Sequence, residues 1–208
     1  MPRVVILDPA PTVHTPMWVW LSTGIRALDH AVEGVCSQFA TPLSDMYYIQ
    51  AIKLLGAALP RVKRDPADLD ARLDCQIGAW ISMTGIVGGT RMGASHAIGH
   101  VLGGSAGVPH GYTSCVMMPA VLAFNASVNA DRQAETSAAL GAAGRPASEV
   151  LDGFIAGLGL PRRLRDVGVK RDDLQRIATN CMKDDWTFSN PRQIQGAQEI
   201  VPILESVY

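Results

Sequence analysis

An all-α fold is predicted, on three observations. Only one run, residues 3–7 (RVVIL), reads as a β-strand; elsewhere apolar residues recur at three- and four-residue spacing. Prolines stand at the starts of these periodic segments and glycines at their ends, which is the punctuation of helices. The 208 residues are 48% hydrophobic, enough for a substantial core. With no internal repeat and only short connections, residues 1–208 are expected to form one helical domain.

Taken in order, residues 3–7 form a short strand closed by Asp8-Pro9. A lone strand leaves its backbone groups unpaired, so its partner is expected in another chain or in an upstream domain. After a proline-rich connector, Ser22 or Thr23 is placed to cap a helix over 24–37, with Ile25, Leu28, Val32 and Val35 as its apolar stripe. Arg26 and His30, four apart, share a neighbouring face. Thr41-Pro42 opens a helix to about residue 59, and 60–65 read as a charged turn. Asp65-Pro66 starts a helix that grows steadily more apolar (IGAWISMTGIVGG), whose small residues allow close approach of a neighbour. Gly88-Gly89-Thr90 lacks both the preceding strand and the lysine of a phosphate-binding loop, so packing explains it better.

Ser95 then caps a helix carrying His96 and His100 one turn apart. Gly103, Gly104 and Gly107 end it, and Pro109 fixes the backbone so that His110 returns over the same face. Residues 112–125 read as a buried helix kinked or restarted at Pro119, with Met117 and Met118 as core filler. Helices over 130–142, 147–158, 174–182 and 194–207 complete the chain.

Net charge is −1, from 18 basic and 19 acidic side chains, and aromatic residues are few, so neither nucleic acid nor an anionic membrane is indicated. Arg162, Arg163 and Arg165 lie among Asp166, Asp172 and Asp173, as in a solvated mixed face. Cys36, Cys75, Cys115 and Cys181 are widely spaced in apolar surroundings and read as reduced, consistent with a cytoplasmic protein. No signal peptide or apolar run of membrane-spanning length is evident.

His96, His100 and His110 are three of only five histidines. Imidazole is a common zinc and iron ligand and the usual proton donor near neutral pH, so the cluster suits metal or proton chemistry. The plainer reading is three hydrogen-bonded core histidines.

The stretch STGIRALDHAVEG (22–34), the histidine segment and Pro109-His110-Gly111 together resemble the helical C-terminal domain of the iron-containing (group III) alcohol dehydrogenases. Lys183-Asp184-Asp185-Trp186 and Asn190-Pro191-Arg192 resemble the tail of the maleylacetate reductase branch, so the likeness covers nearly the whole chain. The resemblance implies a multi-helix, dehydroquinate synthase-like C-terminal fold. It also implies an oxidoreductase acting on a small carbonyl or keto-acid substrate with NADH or NADPH. In the family a metal is held by an aspartate and three histidines, whose histidine positions match His30, His96 and His110. His100 matches the histidine beside the substrate.

The aspartate position is Arg26 here, and Asp29 is turned about 100° around the helix. A guanidinium one turn from His30 repels a cation, so Fe or Zn is expected to bind weakly or not at all. Maleylacetate reductases generally show no metal dependence, which agrees. His100 and His96 are then the expected catalytic residues, with Arg26, His30 and His110 on the substrate. Arg26 either pairs with a substrate carboxylate or forms a surface salt bridge to Asp29 or Glu33. The family's N-terminal nucleotide-binding domain is expected to lie outside this chain, as a missing domain or partner chain; a homo-oligomer is also expected. Two alternatives stand beside this reading: a metal-dependent alcohol dehydrogenase with water in the aspartate's place, and a non-catalytic helical module.

Overall fold

A computed structural model describes residues 3–208. Among these residues there are nine α-helices and no strand: α1 (Met17–Cys36), α2 (Pro42–Arg64), α3 (Leu69–Val87), α4 (Ala94–Ala106), α5 (His110–Ala139), α6 (Ala147–Leu158), α7 (Leu174–Cys181), α8 (Asp185–Phe188) and α9 (Ala197–Ser206). The all-α reading holds. The strand expected over 3–7 is not formed: Val4 and Ile6 stand exposed in irregular backbone, because no second strand among the described residues can complete its ladder.

Several boundaries move, each for a local reason. α1 starts at Met17 rather than after a Ser22 or Thr23 cap, since Thr23 Oγ1 donates back to the Val19 carbonyl at 2.7 Å from inside the helix. α2 begins as expected: Thr41 and Ser44 exchange side-chain and backbone hydrogen bonds as a capping box. It continues through Pro60 to Arg64, so the expected turn is helical; its basic last turn suits the helix dipole, and Arg61 grips Asp68 through Nε and Nη2. Asp68, not Asp65, caps α3 by accepting from Ala71 N at 2.9 Å. α3 packs closely on α1 and α2 around Tyr48. A Cβ at either Gly34 or Gly85 would come within 2.3 Å of its ring.

The helix expected over 112–125 and the start of the one over 130–142 are continuous in α5, which bends at Asn129 (φ −144°, ψ 31°) and not at Pro119. Asn129 Nδ2 donates to the Cys36 carbonyl at 3.4 Å, and Gln133 spans the bend to Asn129 and the Leu122 carbonyl. α5 is long and apolar enough to cross a membrane by length and composition, contrary to the sequence reading. Yet 67% of its most apolar window is buried within the bundle, as in a core helix.

Two apolar clusters form the interior. The first joins α1, α2, α3, α5 and α6 through residues such as Leu28, Ile52, Leu55, Leu59 and Leu151. The second joins α4, α5, α7 and α9 through Ile98, Met117, Ile177, Ile200 and Leu204. Where α1 of the first meets α4 of the second, the contacts turn polar. All four cysteines are buried and free, and burial pushes the Cys36, Cys75 and Cys181 thiols up to about 12.

Candidate active site

The polar seam is built from one face of α1, the first turns of α4 and the start of α5. On α1, Arg26, Asp29 and Glu33 follow at three- and four-residue spacing, so all three reach the same side, and all are buried. α4 has no capping side chain of its own: its N-cap is Gly93, and Ser95, expected as the cap, lies inside the helix. The caps come from α1 and from Asn190, whose Oδ1 accepts from Ala94 N at 3.1 Å. Glu33 Oε2 accepts from Gly93 N at 2.9 Å, and Glu33 Oε1 accepts from Ser95 N at 2.8 Å.

The same carboxylate orients a histidine. His96 Nδ1 lies 2.8 Å from Glu33 Oε2, and an acceptor there requires that Nδ1 carry the proton. His96 Nε2 is then the unprotonated nitrogen, and it is buried with no protein partner. Behind His96, Asp29 Oδ2 accepts from Ser95 Oγ at 2.7 Å and from Ser114 Oγ at 2.6 Å. Ser114 in turn accepts from Arg26 Nη1 at 3.0 Å.

The imidazoles lie in two stacked pairs. His30 stacks on His96 with ring centres 4.7 Å apart, and His100 lies parallel to His110 at 6.4 Å. Trp186, from α8, closes one side, 5.7 Å from His96 and 5.1 Å from His100. Burial, reinforced for His30 by its neighbour His96 and for both by Arg26, lowers His30 to about 2 and His96 to about 3. Asp29 pulls His96 the other way without overcoming burial. Both rings are neutral at physiological pH. Burial and Arg26 also hold His110 below the ordinary imidazole value.

Arg26 is not on the surface, so the salt-bridge reading falls in that form: its side chain is 6% exposed, and Nη1 is 4.0 Å from Asp29 Oδ2. Burial pulls its pKa down while Asp29 and Glu33 hold it up. Nη1 bonds Ser114, and Nε is buried without a partner.

A profile of the Fe-containing alcohol dehydrogenase family, C-terminal, matches residues 20–208. The chain belongs to this family. Its relatives include the maleylacetate reductase of Pseudomonas aeruginosa, 32% identical over 100% of this chain and 57% of that protein. The NAD-dependent methanol dehydrogenase of Bacillus methanolicus is also 32% identical, over 99% of this chain and 56% of that protein. Among solved structures, maleylacetate reductase from Agrobacterium tumefaciens matches with a TM-score of 0.90 at 30% identity, over 100% of this chain and 57% of that chain. The chain thus spans a little over half the length of these relatives.

Iron stands in the family's name, and in this member the donor atoms of His30, His96 and His110 are not gathered at metal-ligand distances. Tetrahedral ligation places nitrogens about 3.4 Å apart, given metal–nitrogen bonds of about 2.1 Å. Among the described residues the ligand-type side chains whose donor atoms all lie within 4.8 Å of one another are Asp29, Glu33 and His96, not the three histidines His30, His96 and His110. That carboxylate group is already committed: Glu33 to backbone N–H groups and His96, Asp29 to two hydroxyls. A buried guanidinium beside it repels any cation.

Reading the sequence brought Arg26, His30, His96, His100 and His110 to one place, and the structure gathers them along the seam. It did not foresee Asp29 and Glu33 as the frame behind His96. Asp29 was set aside for pointing away from the metal position; that direction is what carries it to Ser95 and Ser114. The spacing of Arg26, Asp29 and Glu33 along one helical face was the available signal. Asp184, bonded to His100, and Trp186 were likewise quoted only as motif.

Proposed function

We propose that the chain is the substrate-side half of an NAD(P)H-dependent reductase acting on a small keto acid, in the manner of a maleylacetate reductase. Arg26 carries this reading. It occupies the position where the family resemblance expects a metal-ligating aspartate, and its Nε has no protein partner. A guanidinium so placed favours an anionic substrate over a metal ion, because it offers a carboxylate charge-assisted hydrogen bonds in a desolvated setting. The substrate class that suits it is an unsaturated keto dicarboxylate such as maleylacetate.

Around the bound carboxylate, neutral His30, His96 and His110 supply a polar wall without adding cationic charge. His96 keeps its proton on Nδ1 toward Glu33, so Nε2 accepts a hydrogen bond. His100, with its side chain 40% exposed, is reachable from solvent and delivers the proton to the charge that develops as hydride arrives. The hydride is supplied by NADH or NADPH, carried by a nucleotide-binding domain or partner chain. A homo-oligomeric, cytoplasmic enzyme accords with this reading.

Binding and metal content test it. Maleylacetate titrated into the purified chain and followed by calorimetry should bind, and Arg26→Met should weaken binding by about 10- to 100-fold, the worth of one charge-assisted pair. Elemental analysis should find substoichiometric iron and zinc. Stoichiometric metal that disappears on His96→Ala or His110→Ala would sink the proposal in favour of a metal-dependent dehydrogenase. Consumption of NADH on adding maleylacetate, with the nucleotide-binding domain or partner chain present, and its abolition by His100→Ala test the catalytic half.

A further inference from the structure

We infer that Asp184 is a positioning residue for His100: it holds the Nδ1 proton, so that Nε2 is the nitrogen that gives its proton to the substrate. The inference rests on the reading of His100 as proton donor and adds the group that decides which of its nitrogens acts.

His100 Nδ1 lies 2.8 Å from Asp184 Oδ2, across 84 residues of sequence. An ionised carboxylate only accepts, so Nδ1 carries the proton in this contact. The carboxylate is itself fixed. Its other oxygen accepts from Trp186 N at 2.9 Å, while the Asp184 carbonyl accepts from Thr187 N at 3.1 Å and its own N–H bonds the Cys181 carbonyl at 3.1 Å. Thr187 Oγ1 anchors the same turn to the Cys181 carbonyl at 2.6 Å, and Cys181 lies in the second apolar cluster. Rotation of the His100 ring is further limited by Trp186, 5.1 Å away, and by His110 parallel to it at 6.4 Å. Among the described residues Nε2 of His100 has no protein partner.

The proton count closes on these atoms. Imidazolium His100 begins with protons on both nitrogens. As the hydride of NADH or NADPH forms one bond to the substrate, the Nε2–H bond breaks and its proton goes to the adjacent developing anion. His100 is left as the neutral Nδ1–H tautomer, still bonded to Asp184, which never takes a proton. A proton from solvent restores Nε2–H before the next turnover. Free imidazole prefers the opposite tautomer, with its proton on Nε2, so without Asp184 nothing fixes Nε2 as the nitrogen that gives up the proton and takes up the next one. Asp185, its exposed neighbour, makes no such contact.

The test reads the tautomer directly, in the chain itself and without turnover. Long-range 1H–15N correlation on 15N-histidine-labelled protein, about two pH units above the ordinary imidazole pKa of ~6.5, separates the Nδ1–H from the Nε2–H form. His100 should be Nδ1–H in the wild type and in Asp185→Ala. It should remain so in Asp184→Asn, whose amide oxygen still accepts, and revert to Nε2–H in Asp184→Ala. Should Asp184→Ala fail to fold by circular dichroism, Asp184→Ser, too short to reach, replaces it. An Nε2–H wild type, or a tautomer unmoved in folded Asp184→Ala, overturns the inference. In the NADH assay, run with the nucleotide-binding domain or partner chain present, Asp184→Ala should lower kcat by about 10- to 100-fold with KM little changed, and should add nothing to His100→Ala. If the tautomers behave as expected but His100→Ala keeps full turnover, the reading of His100 as donor fails and the inference falls with it. If turnover needs His100 but the tautomer ignores Asp184, only the inference fails.

Discussion

Replacing Glu33 by alanine should unfold the protein more readily than any single change at the imidazole surface. Glu33 accepts from Gly93 N at 2.9 Å, Ser95 N at 2.8 Å and His96 Nδ1 at 2.8 Å, with a longer contact to His96 N at 3.4 Å. Each hydrogen bond to a charged partner contributes about 1.5–3 kcal/mol, and the donors left behind are buried at the start of a helix where Asn190 Oδ1 holds only Ala94 N. Their sum overstates the loss, because water can enter the space and Arg26 is no longer opposed by two carboxylates. A cost of ~3–5 kcal/mol is expected, the range for breaking a buried charged pair. With a urea m-value of about 2 kcal/mol/M, this lowers the unfolding midpoint by about 1.5–2.5 M at unchanged m. Urea titration followed by circular dichroism measures it. A midpoint within about 0.3 M of wild type would show that the carboxylate does not hold α4 on α1, and the account of the seam would be wrong.

Stability should also depend on pH in a defined sense. His30 and His96 titrate near 6.5 when unfolded but are lowered to about 2 and about 3 in the fold, so the folded state binds fewer protons. Their contribution is complete above pH ~6.5 and is lost as pH falls through the folded values, at up to about 1.4 kcal/mol per pH unit for each ring. Burial also raises Asp29 and Glu33, so that the fold takes up protons on them before the unfolded chain does, which opposes the loss. Urea midpoints taken stepwise from neutral pH to about pH 5 isolate the histidine share: the midpoint of His96→Phe should fall less, or rise more, on acidification than that of the wild type. Gly85→Ala would put a methyl 2.3 Å from the Tyr48 ring, and thermal unfolding should show a loss of about 1–3 kcal/mol or more. An unchanged melting temperature would mean that the Tyr48 packing is loose.

How much of this was legible in the sequence depended on the range of the signal. The helices opened by Thr41-Pro42 and Pro146 were readable, because proline and capping residues act on their own neighbours. Ser95 misled for the opposite reason: by local preference it is a cap, but in the fold its hydroxyl is taken by Asp29, 66 residues away. Pro119 suggested a kink, yet the bend falls at Asn129, where a carbonyl of α1 offers a partner to the side chain. The strand over residues 3–7 had the right composition, and pairing is not a property of composition. At the site, the histidines announced themselves by scarcity, whereas Glu33, Asp29 and Asp184 are ordinary acids until a second helix supplies what they bind.

The Glu33 carboxylate couples two properties that protein engineering usually treats as separate. It joins α1 to α4 and, through the same oxygen, sets which nitrogen of His96 is left without a proton. Substitutions at position 33 therefore cannot be screened for thermal tolerance alone, since every variant that survives also rewrites the protonation pattern of the imidazole wall. The α1–α4 joint thus behaves as an inherited constraint on any remodelling of the seam.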